Sequence, residues 1–262
     1  MKVKITMSIV LTLATTSVFA QTPPGADNPN LLSAYLGGVD TLAPGQLAAV
    51  SGCDQVVGDE GMPVVTEIPV DPDEPLSPRA FLVITESGQP HRPTCATLEP
   101  ASDPDENRTI LLTGPMGDAD DLPVSVVVIG DVITVDGRNL RGAHSRVTLK
   151  EEGTSMVLAE AQPADAICTS LGSTAQLLLT FEGGVTGPRG AVPGADELAD
   201  FTLFDAEGRA FDGLGFDDLQ DGDNHLVLCV PGGVNPTRVR VEADTLFDPT
   251  NNPNPESEVP VS

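Results

Sequence analysis

Apolar residues in this chain come in short runs bounded by Gly, Pro, Asp and Asn, the pattern of strands rather than helices. In the first half the runs predict strands at 63–68, 80–85, 109–113, 124–129, 145–149 and 155–159. In the second half they predict strands at 176–181, 200–204, 225–230 and 238–242. Arg238-Val239-Arg240-Val241-Glu242 alternates as a strand with one wet face does, whereas Val124 to Ile129 is almost unbroken and reads as a central strand covered on both faces. Turn residues separate the runs at Asp71-Pro72, Ser87-Gly88, Asp136-Gly137, Gly183-Gly184, Glu207-Gly208 and Pro231-Gly232. No amphipathic period extends far enough for a long helix, so the fold class is all-β, a sandwich or a barrel. Leu31 to Val50 has small apolar residues without a period, and reads as an N-terminal strand or a partner segment.

The two halves repeat one order of features. Each opens with a cysteine (Cys53, Cys168) and continues to a Phe-centred strand with an acid/Gly turn, at Phe81 and Phe201. An acid/Asn turn then feeds an apolar strand, at Asn107 and again at Asp223-Asn224. A Val-rich strand follows, and last comes a turn-rich loop, Asp131 to Gly142 and Asp244 to Glu256. The second cysteines break the match, because Cys95 falls between predicted strands and Cys229 inside one.

The N-terminus has the parts of an export signal. Lys2 and Lys4 precede an apolar run from Ile5 to Leu13, and Val18-Phe19-Ala20 offers a small-residue cleavage site. That run is about half the ~20 residues a membrane span requires, and no later segment predicts one. The expected location is therefore secreted or periplasmic. In an oxidising compartment paired cysteines are the default. Four cysteines allow three pairings, of which the expectation here is Cys53–Cys95 with Cys168–Cys229, one bridge in each half. Each bridge would stabilise by roughly 3–5 kcal/mol on a chain-entropy account. The absence of a CxxC pair and the scatter of His91, His144 and His225 argue against zinc.

Charge narrows the partners. Acidic residues number 39 against 13 Lys and Arg, a net charge of −26 that becomes more negative if the lysines of the signal segment are removed. Such a chain repels nucleic acid, which needs clustered cations. Eight Phe, one Tyr and no Trp leave little for a stacking platform. Expected partners are an envelope or extracellular protein or a glycan.

One resemblance follows from particular residues. Gly183-Gly184-Val185 after a Leu-rich strand, then Leu246-Phe247-Asp248-Pro249 and Asn251-Asn252-Pro253-Asn254-Pro255, resembles the bacterial Ig-like modules of surface-layer and adhesin proteins. Thr250 and Asn251 stand where those modules carry a glycine. The resemblance covers mainly the second half. It implies an extracellular β-sandwich used as spacer or binding module, with no catalytic residues to carry over. The expected organisation is a signal peptide at 1–20, a partly disordered leader at 21–50, and two tandem Ig-like β-sandwich modules at 51–162 and 163–262.

The acidic loops are the candidate chemistry. Asp118, Asp120 and Asp121, then Asp218, Asp221 and Asp223, then Asp248 offer oxygens of the kind Ca²⁺ takes, making calcium the one candidate cofactor. The same residues are also ordinary hairpin-turn formers, and the spacing lacks the EF-hand's twelfth-position Glu. No GxSxG, HExxH, SxxK or phosphate loop is present, so no catalytic residue is assigned. His225 beside Asp223 and Asn224 reads as a buried structural group. Arg138, Arg141 and Arg146 gather cations near Asp136, either for local pairing or for an acidic partner. Asn107-Arg108-Thr109 is formally a glycosylation sequon. The function these features imply is a non-catalytic structural or binding component of the envelope or extracellular space; the alternative is a secreted hydrolase with an unfamiliar site.

Overall fold

The computed structural model describes residues 29–37, 53, 60–101, 103, 106–217 and 223–262. The 1–20 segment expected to be a signal peptide lies outside the described residues, and so do Asp218 and Asp221. What is described is all-β, with two short helices, α1 (Ala166–Ser170) and α2 (Ala195–Leu198).

The first eight strands are β1 (Leu31–Leu36), β2 (Glu60–Thr66), β3 (Phe81–Thr85), β4 (Pro90–His91), β5 (Cys95–Thr97), β6 (Thr109–Gly114), β7 (Pro123–Val128) and β8 (His144–Leu149). They form one sheet in the order β4-β3-β7-β8-β1-β2-β6-β5. The next eight are β9 (Met156–Pro163), β10 (Ala175–Phe181), β11 (Phe201–Phe204), β12 (Ala210–Asp212), β13 (Gly215–Asp217), β14 (His225–Val230), β15 (Arg238–Val241) and β16 (Ser257–Pro260). These make two four-stranded sheets, β12-β11-β15-β16 and β13-β14-β10-β9. A parallel bridge from Val261, just past β16, to Ala159 of β9 joins them. The joined order is the first order with every strand number raised by eight.

The repeat holds to the residue. Ala34 faces Val147 in a parallel pair, and Ala159 faces Val261 in the same way. A bulge falls between Leu31 and Ser33 on β1, opposite Thr66 and Val65. Its counterpart lies on β9 where Met156 and Leu158 oppose Phe181 and Thr180. Phe81 opposes Val128 as Phe201 opposes Val241, and Val83 opposes His91 as Leu203 opposes Phe211.

Each set of eight encloses its own core. Met62, Val64, Ile110 and Leu112 from one half of the first sheet pack with Phe81, Val83, Val126 and Val128 from the other. For both halves to reach one core the sheet must curl over on itself. Leu177, Leu179, Phe181, Phe201, Leu226, Leu228, Val239 and Val241 do the same in the second set. Each such side chain, fully buried, contributes roughly 1.5–3 kcal/mol.

All ten predicted strands are present, with three differences. β1 sits in the middle of the first sheet between β8 and β2, so residues 31–36 are the N-terminal strand that was one of the two readings of that stretch, although they fall in the range expected to be a leader. The expected break after residue 162 cuts through β9, whose Met156 and Ala159 lie in the second core. Finally, β7 is central but unequally covered: Val126 and Val128 are buried on one face, while Ser125 and Val127 on the other are only half-buried.

The disulfides join Cys53 to Cys95 and Cys168 to Cys229, spanning 42 and 61 residues, as the pairing within each half anticipated. Cys95 lies inside the short strand β5 rather than between strands, directly opposite Thr113 of β6. In the second set the residue at Thr113's place is Cys229, and its neighbour across the ladder is Gly215. The second cysteine has thus moved one strand sideways at the same level.

Candidate functional site

Between the two sets the chain has only the short segment from Lys150 to Ser155, which includes a single turn of 3-10 helix. Gly153 within it has φ 74, and a Cβ there would stand 2.0 Å from the Pro253 carbonyl oxygen, so only glycine fits. The two sets are not beads on a loose string. Successive side chains of a strand face opposite sides, so Val65, Leu111, Leu178 and Thr180 point away from the cores their neighbours fill. All four are nonetheless buried and none belongs to either core.

Polar contacts cross that buried face. The Tyr35 hydroxyl donates its one proton to Asp248 Oδ2 at 2.8 Å, with the Lys150 carbonyl oxygen 3.3 Å away. Asp248 also accepts from the backbone N–H of Thr250 and Asn252 and from both their side chains. Burial, then the Asp248 carboxylate, pushes the Tyr35 hydroxyl's pKa well above the usual phenol range. A Cβ on Gly183 would meet the Tyr35 ring at 2.5 Å, so the glycine lets the ring lie against backbone. Arg108 forms a two-pronged ion pair with Glu160, Nε to Oε2 at 2.7 Å, and also donates to the Glu67 carbonyl. Thr148 donates to Glu182 Oε1 at 3.0 Å, and the Ser155 N–H reaches Glu182 Oε2 at 3.4 Å. Burial raises the Glu182 pKa; the hydrogen bonds from Thr148 and Ser155 oppose that rise.

At the centre, His225 Nε2 lies 3.3 Å from Thr109 Oγ1 and its Nδ1 3.3 Å from Thr180 Oγ1. The backbone N–H of His225 donates to Asp223 Oδ1 at 2.6 Å. Burial, and then the positive charge of Arg108, lowers the imidazole pKa to about 3, so the ring is neutral. Thr109 lies opposite Val65, and His225 lies opposite Thr180, the residue at Val65's place in the second set. Thr109 and His225 thus hold the same position in the two repeats. Contact between two copies of one position is what a twofold-like, isologous packing produces.

The remaining candidates are placed individually. Asp121 accepts from the Ser87 N–H and hydroxyl and from Thr85 Oγ1, which together hold its carboxyl below the usual range. Asp118 accepts from the Asp120 N–H within its turn. Among the described residues no three His, Cys, Asp or Glu side chains converge in a metal-binding group. Asn251 adopts φ 68, in the left-handed region that favours glycine and tolerates Asn. Arg138, Arg141 and Arg146 pair with Asp136, Asp131 and Glu152, the local reading. Asn107 is buried, which closes the sequon to a glycan. A depression of about 270 Å³, lined by Leu36, Met116, Leu149, Asp118, Lys150 and Glu151, is small for a ligand pocket, which usually measures ~300–1,000 Å³. No helix among the described residues is long and apolar enough to cross a membrane.

Sequence reasoning named His225 as a buried structural group, Asp248 only as a candidate calcium oxygen and Arg108 only within the sequon, and it did not single out Tyr35, Glu160 or Glu182. A signal existed: β6 and β10 read Thr-Ile-Leu-Leu-Thr-Gly and Ala-Gln-Leu-Leu-Leu-Thr-Phe, apolar on both faces, which in an antiparallel sheet means both faces are covered.

No protein-family model matches the chain, and no curated protein matches it. Among solved structures it is similar to the N-terminal part of the bacterial S-layer protein SbsC, with a TM-score of 0.30 and 13% identity over 90% of this chain and 44% of that one. It is also similar to domains 1–6 of surface layer protein SbsC, with a TM-score of 0.31 and 15% identity over 90% of this chain and 26% of that one. The chain therefore spans less than half of either structure, and the likeness is too faint to transfer a fold or a function.

Proposed function

We propose that the protein is a non-catalytic, exported component of the cell envelope or extracellular space, built from two tandem β-sandwich modules, Ig-like in type, that meet between Leu149 and Met156. The observation that carries this reading is the buried seam: its polar groups are spent on fixing one module against the other, as a rigid spacer or binding element requires. One disulfide per module and the strongly acidic composition suit an oxidising, aqueous setting. Calcium has no necessary part in this reading, because Asp121 and Asp248 already accept from protein donors.

The test is fractionation of the native host combined with thiol alkylation of each fraction. The expected result is protein outside the cytoplasm, starting near Gln21, with no alkylatable cysteine. Protein in the cytosol with four reactive thiols would overturn the reading.

A further inference from the structure

We infer that each module is built to carry tension along the chain, through a shear clamp between its first and last strands backed by a covalent stop. The role rests on the structural-component reading proposed above. The first and last strands of each set are parallel neighbours. β1 runs beside β8 with Ala34, Tyr35 and Leu36 opposite Val147, Thr148 and Leu149. β9 runs beside the C-terminal strand through the Ala159–Val261 pair. There the Ala161 N–H donates to the Ser262 carbonyl and the Ser262 N–H to the Ala159 carbonyl, each at 3.0 Å.

A pull on the two ends of a module draws two parallel neighbours in opposite directions along their length. Every hydrogen bond between them is then loaded at once. In an antiparallel pair pulled from one end the bonds open in turn, each bearing the whole load alone. β1 is also paired with β2 on its other side, and β9 with β10, so the pulled strand is held in shear along both edges.

The disulfides act after the clamp. Cys53–Cys95 and Cys168–Cys229 lie inside the clamped strands in sequence, so 42 and 61 residues cannot extend once a module opens. At 3.3–3.6 Å per extended residue, the first module should lengthen by about 25 nm and the second by about 15 nm. The seam adds contacts between Tyr35 of β1 and Asp248 of the second module, so load on β1 is shared across the junction.

Single-molecule force spectroscopy on the full chain tests this, because forced unfolding reads the unfolding barrier directly. Tethered by its two ends, the chain should rupture in two high-force steps with the unequal lengths given above. Under reductant those lengths should grow by about 15 nm and about 20 nm, the freed loops. The comparison geometry places one handle at the C-terminus and the other in a tag inserted at the exposed Gly232-Gly233 turn. Arg238 lies opposite Pro260 in the antiparallel β15/β16 pair, so these handles pull on one end and unzip it. Rupture there should need several-fold less force. Equal forces in the two geometries would overturn the clamp, and step lengths unchanged by reductant would overturn the covalent stop. Either failure leaves the fractionation result intact, so the two readings fall separately.

Discussion

Tyr35→Phe probes the seam with the least collateral change. The ring, buried against Gly183, stays; only the hydroxyl that reaches Asp248 is removed. A hydrogen bond to a charged acceptor is worth about 1.5–3 kcal/mol. Asp248 keeps donors from Thr250 and Asn252, so its carboxylate is not orphaned, and the loss belongs at the low end, about 1.5 kcal/mol. For a chain of this size 1 kcal/mol shifts Tm by roughly 2–4 °C, giving a fall of about 3–6 °C. Thermal and urea unfolding of wild type and variant measure it. Asp248→Ala, which strips all these donors of their acceptor, should cost more, and the double variant should cost less than the two single losses together. A Tyr35→Phe variant within about 0.5 kcal/mol of wild type, with strict additivity in the cycle, would refute a structural seam.

Other outcomes follow from the same geometry. His225 titrates near 6.5 when unfolded but only at about 3 in the fold, so stability is fully present above about pH 6.5 and falls as pH drops toward 3. Between about pH 6.5 and 5 the loss should be about 2 kcal/mol, and urea titrations should show it shrinking in His225→Gln. Glu182, whose pKa is raised, contributes with the opposite sign: its share is lost as pH rises through its folded value. Because Thr113 holds the place that Cys229 holds in the second module, the double variant Cys95→Thr, Thr113→Cys should bridge Cys53 to the thiol introduced on β6; free thiols on non-reducing peptide mapping would deny the equivalence. Melting in excess calcium and in chelator should coincide, whereas a calcium-dependent rise would mean that the acidic turns hold the ion.

Strands with strong alternation or dense Val, Leu and Ile were legible because burial forces that pattern. Pro90–His91, Cys95–Thr97, Ala210–Asp212, Gly215–Asp217 and Ser257–Pro260 were not, since short strands at an edge or end need little apolar content of their own. The internal repeat was visible in Phe81 and Phe201 and in the two acid/Asn turns. Its register was not, because register depends on bulges and cross-strand partners that only pairing reveals. The seam was hardest to foresee. Arg108, Glu160, Glu182 and Tyr35 sit where alternation assigns solvent, and they become a site only when a second sheet face arrives. The cysteines gave the opposite case: their pairing was readable, while the one-strand displacement of the second partner required the ladders.

Backbone ¹⁵N relaxation of the full chain tests the locked junction most directly. If the seam holds, amides of β2, β3 and β6 and those of β10, β11 and β14 will report one shared tumbling time, appropriate to a single particle of the whole mass. Two different tumbling times, each appropriate to one half, would mean that the modules move independently and that the seam does not fix them.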